Sequence, residues 1–362
     1  VKSNPDDTLL RWLKDLGVNF DCASGREINE VLRHGGSADR IIFANPVKTD
    51  RDMLLAEHRN IRLTVVDSVE EVDKIYELRT QLKWQPDVLI RLAADDNKSR
   101  SPFSIKFGAE RWAWQKILQQ IAKRGLKFGG LSFHIGSACA DPEQWGKAID
   151  LCREFSTELR QTPRIIDIGG GFIDSMFEMA ATSIRSAQKR WKDIEPPKQW
   201  IAEPGRFFSG PSHTLYSPII GKKRGPGGNG WRYTLDESIY GQFSCIPFDH
   251  ARPHWIHFEG DRNKILESTH DRTTRGFLFG RTCDSLDMIA YSEKMPNMNV
   301  GDWLCFPGMG AYTCASASEF NGFPLPFKYY KDEGWVCPRS IISNNDIIFP
   351  VETQSSVRLS LQ

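Results

Sequence analysis

Three short apolar runs in this chain stop in the same manner, each giving way to polar residues where a strand would end. They are Leu131-Ser-Phe-His134-Ile-Gly136-Ser137, Ile165-Ile-Asp167-Ile-Gly169-Gly170-Gly171 and Trp200-Ile-Ala-Glu203-Pro-Gly205-Arg206. In a barrel of parallel strands every carboxyl-terminal strand end opens onto one face. A histidine, a serine, a glycine triplet, a glutamate and an arginine would converge there. One glycine-rich turn carries little weight, but three in register favour a parallel β/α fold with a polar site at one end.

The rest of the first 210 residues follows the same pattern, alternating β-branched or apolar runs with longer helix-period segments. Strands are predicted from Val18 to Cys22, Arg40 to Ala44, Arg62 to Val66, Val88 to Ala93, Gly130 to His134, Arg164 to Ile168 and Trp200 to Glu203. Helices are predicted from Gly25 to His34 and from Pro142 to Arg160. Seven strands at this spacing nearly complete a (β/α)8 barrel, whose remaining strand would end at Val1-Lys2. Val1-Lys2-Ser3-Asn4-Pro5 has neither an initiating methionine nor a leader, so the numbering is expected to begin at the tip of barrel strand one, with residues missing upstream.

Past Ser212 the pattern changes to short alternating runs, Tyr216 to Lys222, Trp231 to Leu235 and Asp302 to Phe306, broken by turns such as Gly225 to Gly230. An antiparallel β domain is expected there, giving a division into residues 1–212 and 213–362. The charged stretch Gly260 to Arg275 reads as a mobile loop. With 362 residues, 40% of them hydrophobic, the chain can bury one large core and part of a second.

Composition removes several classes of function. A net charge of +1 argues against a nucleic-acid or acidic-membrane partner, and no run approaches the roughly 20 apolar residues of a membrane span. The eight cysteines contain no CxxC pair, which reads as reduced thiols in a cytoplasmic protein with no metal centre.

The opening segments, together with Phe20-Asp21-Cys22-Ala23-Ser24, Ile41-Ile-Phe-Ala-Asn-Pro46, Tyr240-Gly-Gln-Phe243, Arg281-Thr-Cys283-Asp284-Ser-Leu-Asp287, Gly310-Ala-Tyr312-Thr313 and Phe320-Asn-Gly-Phe323, closely resemble the pyridoxal-phosphate-dependent decarboxylases of the ornithine decarboxylase family. The resemblance runs nearly end to end. It implies a barrel plus a β domain, pyridoxal 5'-phosphate as cofactor, loss of carbon dioxide from a basic amino acid, and a head-to-tail homodimer with shared active sites.

Read alone, a lysine at position 2 is a solvated charge. The resemblance makes Lys2 the lysine that bonds the cofactor. Removing a carboxylate leaves negative charge on the α-carbon, which a protonated pyridine ring can absorb, and Glu203 matches the residue that keeps the ring nitrogen protonated. His134 matches the histidine lying flat on the ring; the alternative is a core histidine bonded to backbone. A phosphate needs several donors aimed at one point, which suits Gly169, Gly170 and Gly171, with Ser137, Gly205, Arg206 and Tyr312 completing the cup by analogy. Asp21 and Arg91 match positions near the cofactor and its lysine.

The resemblance places substrate selection in the second domain. Cys283 and Asp284 match a cysteine and an aspartate that reach the neighbouring subunit's site, the thiol reprotonating the α-carbon and the acid holding the distal amine; a reference thiol pKa of about 8.5 is within tuning range of neutral pH. Asp249 matches a second acid, and Phe320 a substrate contact. Two carboxylates on one ammonium make a charge-assisted clamp, favouring L-ornithine, converted to putrescine for polyamine synthesis, with lysine next. Arg281 stands where proline is usual and Ala138 where glycine is common. A non-catalytic homologue resembling the antizyme inhibitors and a racemase on the same barrel are the competing readings, and an antizyme-like regulator is a further implied partner.

Overall fold

The computed structural model describes residues 1–82, 84–261, 264–267 and 273–330. Up to residue 201 the strands are β1 (Phe20–Cys22), β2 (Ile41–Phe43), β3 (Leu63–Val66), β4 (Asp87–Leu92), β5 (Ser99–Ser101), β6 (Lys127–Phe133), β7 (Ser137–Cys139), β8 (Ile165–Asp167) and β9 (Gln199–Ile201). β5 and β7 form a small antiparallel ribbon, and the other seven pair in parallel in the order β1-β2-β3-β4-β6-β8-β9. All seven coincide with the predicted runs to within a few residues. Helices α1 (Asp7–Asp15), α2 (Gly25–Arg33), α3 (Asp50–His58), α4 (Val69–Leu82), α5 (Arg111–Lys123), α6 (Glu143–Leu159) and α7 (Phe177–Lys189) alternate with them. This is the arc of a (β/α)8 barrel. The Val1 nitrogen lies 3.3 Å from the Asp21 carbonyl at the outer edge of β1.

The near-continuous apolar runs follow from burial on both strand faces. Ile41 and Phe43 of β2 pack in the cluster that includes Ile28, Val31, Ile117 and Phe155 of the helices, whereas Ile42 packs inward with Val65, Leu89 and Ile165. Local signals start the helices: Asp6 accepts from the Thr8 and Leu9 amides at 3.1 and 3.0 Å, and Ser24 from Glu27 at 3.3 Å. No helix among the described residues is long and apolar enough to cross a membrane.

Two short helices, α8 (Gly205–Ser209) and α9 (Cys245–Asp249), flank the start of a second sheet. Its strands are β10 (Thr214–Arg224), β11 (Trp231–Leu235), β12 (Ile256–Asp261), β13 (Lys264–Glu267), β14 (Thr273–Phe279), β15 (Met288–Pro296) and β16 (Trp303–Pro307), in the order β13-β12-β16-β10-β11-β14-β15. Ile219, Tyr233, Leu278 and Phe306 lie in its core. Two expectations are corrected here. The sheet is mixed, because β11 and β14 pair in parallel; the long connection between them lets the chain return in the same direction. The stretch from Gly260 to Arg275 is no simple loop, since β13 pairs antiparallel with β12 and β14 begins at Thr273. An edge strand's free N–H and C=O groups recruited a partner that composition did not advertise.

Val1–Leu325 form one compact unit, and the chain from Pro326 onward belongs to another, described only to residue 330. Of the second, the described residues 326–330 carry no helix or strand.

Candidate active site

The polar ends of the parallel strands do meet. Lys2 Nζ lies 2.9 Å from Asp21 Oδ2 at the end of β1, with the lysine side chain 46% exposed. Its segment is clamped from the second sheet's side: Tyr312 N donates to Ser3 O at 2.8 Å, Asn4 Nδ2 to Gly310 O at 2.7 Å, and Ser209 Oγ to Ser3 Oγ at 3.1 Å. Packing around Lys2 opposes its charge, but Asp21 and then Glu203 outweigh this and hold its pKa well above the usual lysine range. Burial likewise opposes the Asp21 carboxylate, and Lys2 more than compensates.

Glu203, just beyond β9, is fixed through its backbone N–H to Gly169 O at 2.8 Å. Burial and the neighbouring Asp167 carboxylate raise its pKa well above the ordinary range. Asp167, at the end of β8, is pushed up to about 7 by burial, although it accepts the Gly169 amide at 2.9 Å. Two buried carboxyls bonded to each other cannot both ionise cheaply, so the pair holds a proton near neutrality. Arg91 of β4 lies among Glu203, Asp67, Asp167 and Asp21, and burial still lowers its pKa. Its guanidinium sits 5.0 Å from the Phe107 ring centre.

His134 follows β6. Burial, then Arg91 and Lys2, push its pKa down to about 3, so the imidazole is neutral, with Nδ1 accepting the Gly136 amide at 3.0 Å. The glycine triplet borders it. A Cβ at Gly170 would lie 2.6 Å from Glu203 O and 3.0 Å from His134 Nε2, while Gly169 and Gly171 have φ of +61° and +94°. A side chain at any of the three would collide or be strained.

Arg206 of α8 donates to Ser137 Oγ at 2.7 Å and to Asp249 Oδ1 at 2.6 Å, and its guanidinium lies 4.7 Å from the Tyr312 ring centre. Gly205 sits against Ser3, whose Oγ would be 3.1 Å from an added Cβ. Ala138, next to Ser137, has φ of +53°, which explains why glycine suits that position.

Of the second set of predicted residues, Cys283, Asp284 and Phe320 gather around Tyr240 and Asn321. Asp284 accepts the Tyr240 hydroxyl and, at 2.9 Å, the Leu286 amide. The tyrosine is the main cause of its lowered pKa. Tyr240 stacks on Phe320 with ring centres 4.2 Å apart, and the Cys283 amide donates to Asn321 Oδ1 at 2.9 Å. Among the described cysteines only Cys283 is exposed. Arg281 props this loop through Asp236 at 3.0 Å and the Pro324 carbonyl at 2.6 Å. Asp249 is not with Asp284. Arg100 of β5 and Arg206 hold its two oxygens, and no hydrogen bond or ion pair joins the two acids among the described residues. Asp167, Tyr240, Asn321 and Arg100 went unselected in sequence. Asp167 stood inside a flagged motif, whereas Arg100 had no signal at all.

Residues 1–210 match the family model described as pyridoxal-dependent decarboxylase, pyridoxal binding domain. The chain is 38% identical over 358 residues to the ornithine decarboxylase of Caenorhabditis elegans, covering 92% of this chain and 82% of that protein. It is 36% identical over 345 residues to that of Saccharomyces cerevisiae, covering 89% and 72%. Among solved structures, the arginine decarboxylase of Paramecium bursaria Chlorella virus superposes with a TM-score of 0.80 at 33% identity, over 89% of this chain and 86% of that one. The lysine/ornithine decarboxylase of Vibrio vulnificus, complexed with putrescine, gives 0.77 at 30% identity, over 90% and 84%.

Proposed function

The chain belongs to the pyridoxal-dependent decarboxylases of the ornithine decarboxylase family, and from that premise we propose that it removes carbon dioxide from L-ornithine to give putrescine. The observation that carries the reading is the convergence of Lys2, Asp21, His134, Asp167 and Glu203 on one glycine-lined strand-end face.

The residues fit pyridoxal phosphate. Glu203 Oε1, Asp21 Oδ1 and Arg206 Nε are buried without a hydrogen-bond partner, and the glycine triplet lets the strand-end backbones close around them, since a Cβ at any of the three would meet a carbonyl oxygen within 2.3 to 2.7 Å. Lys2 would hold the cofactor through Nζ, the triplet with Ser137, Gly205, Arg206 and Tyr312 its phosphate, and Glu203 its ring nitrogen. Bound there, the cofactor supplies the electron sink for the charge left at the α-carbon. Burial and the Asp167 carboxylate keep Glu203 protonated while the site is empty, so it would bring a proton to the ring nitrogen and face that nitrogen once it is charged. His134, neutral and fixed at Nδ1, offers a flat uncharged face beside Gly170. Asp21 positions the Lys2 amine through their 2.9 Å contact and would take up the proton that Nζ must lose before it bonds the cofactor.

Cys283 and Asp284 would complete the site of a second copy in a head-to-tail homodimer, the thiol protonating the α-carbon and the acid, with Asp249, receiving the distal ammonium. The exposed Phe248 and Leu286, beside Asp249 and Asp284 in sequence, supply apolar surface for such an interface. In this reading residues 1–212 carry the cofactor and 213–362 specificity and pairing, in a cytoplasmic enzyme open to an antizyme-like regulator. Carbon dioxide release from ornithine, lysine, arginine and diaminopimelate, measured side by side on the cofactor-loaded protein, tests the proposal. Ornithine should have the highest kcat/KM; a clear preference for another substrate would overturn the choice, and no release with any would overturn catalysis.

A further inference from the structure

Asp249 does not stand free. Arg100 Nη2 lies 2.7 Å from its Oδ2 and Arg206 Nη2 2.6 Å from its Oδ1, so each oxygen of a carboxylate only 8% exposed already has a cationic partner. The two arginines are held differently. Arg206 also bonds Ser137 and lies over Tyr312, and its side chain is 17% exposed. Arg100 reaches Asp249 from a three-residue strand, is 33% exposed, and has no other ion pair among the described residues.

We propose that Arg100 is a specificity-determining residue that competes with the substrate's distal ammonium for Asp249. The inference rests on the reading of Asp249 as a substrate-binding acid. Both oxygens of Asp249 already carry a guanidinium, so an arriving ammonium finds no open acceptor there unless one arginine yields. Arg100 is the one that can, because it is already partly hydrated and returns to water at little cost. Arg206 would have to abandon Ser137 and Tyr312 as well. Displacement precedes chemistry and Arg100 touches no reacting atom, so its effect belongs in KM rather than kcat. A substrate analogue without a distal charge need not displace it.

The test uses the cofactor-loaded enzyme as wild type, Arg100→Ala, Arg100→Met and Arg100→Lys, with ornithine kinetics, calorimetric binding of putrescine, and competitive inhibition by norvaline, which lacks the distal ammonium. Removing the guanidinium in either neutral variant should lower the ornithine KM and the putrescine Kd by roughly threefold to thirtyfold. The change in kcat should stay within about twofold and norvaline should bind as before. Arg100→Lys should remain near wild type. Unchanged or weaker putrescine binding in both neutral variants, or norvaline shifting in parallel, would overturn the role of Arg100. Wild type that turns over no ornithine would instead sink the substrate reading, and the putrescine comparison would still decide the competition.

Discussion

At the end of the parallel sheet, Lys2, Asp21, Asp167, Glu203 and His134 shift one another's protonation, whereas on the loop after β14 the carboxyl of Asp284 is lowered chiefly by Tyr240 and one backbone amide. The first region is a closed electrostatic system, with burial amplifying every pair. The second is exposed, and its cysteine is fixed through its backbone amide to Asn321 Oδ1. Buried neighbours set the protonation of the first region, whereas the second lies open to whatever covers it.

The severest way to break that comparison is Lys2→Ala, which should lower turnover by about 10³-fold or more and abolish the bound cofactor's visible absorbance. Near-normal activity would remove the closed cluster from catalysis. Cys283→Ala should lower turnover by roughly 10² to 10⁴-fold as loss of a proton donor. Mixing these two inactive proteins should restore activity to heterodimers that retain one intact site; no recovery after confirmed subunit exchange would place each site within a single chain. Asp284→Asn should lower kcat/KM for ornithine by roughly tenfold to a hundredfold and leave norvaline binding nearly unchanged. An equal loss for both would make Asp284 structural.

Smaller effects probe the closed cluster through stability. Asp167 is raised from 3.8 to about 7, so in the cofactor-free protein its contribution is full below pH 3.8 and is lost as pH rises through about 7. His134, lowered from 6.5 to about 3, acts oppositely: its contribution is present above pH 6.5 and lost as pH falls toward 3. Relative to wild type, Asp167→Asn should therefore gain Tm, and His134→Gln lose it, as pH rises from 4 to 7, each by a few degrees. Parallel Tm curves for all three proteins would mean that these groups do not titrate as buried ones. Ala138→Gly relieves a left-handed residue worth about 1 kcal/mol and should raise Tm by about a degree or two; an unchanged Tm would show no strain there.

Much of the fold was legible because its cause is local. Alternating apolar runs and helix-period segments fixed seven parallel strands, and strand ends as unusual as Ile165-Ile-Asp167-Ile-Gly169-Gly170-Gly171 marked the face on which polar groups gather. Glycines at 169 and 171 announced a backbone that no other residue adopts easily. Tertiary packing decided the rest. Which acid faces which base depends on strand register, so Asp167 beside Glu203 emerges only when β8 and β9 are paired. Arg100 reaches Asp249, 149 residues away, because the β5–β7 ribbon sets Ser101 opposite Ser137. The second sheet's mixed order and the pairing of β13 likewise reflect hydrogen bonds between segments distant in sequence. Element types, their order and the residues available for chemistry are thus written in local periodicity and backbone preference. Which carboxyls share a proton, and which acid already has its cations, is set by folding alone, because Coulomb energy and desolvation depend on distances through space.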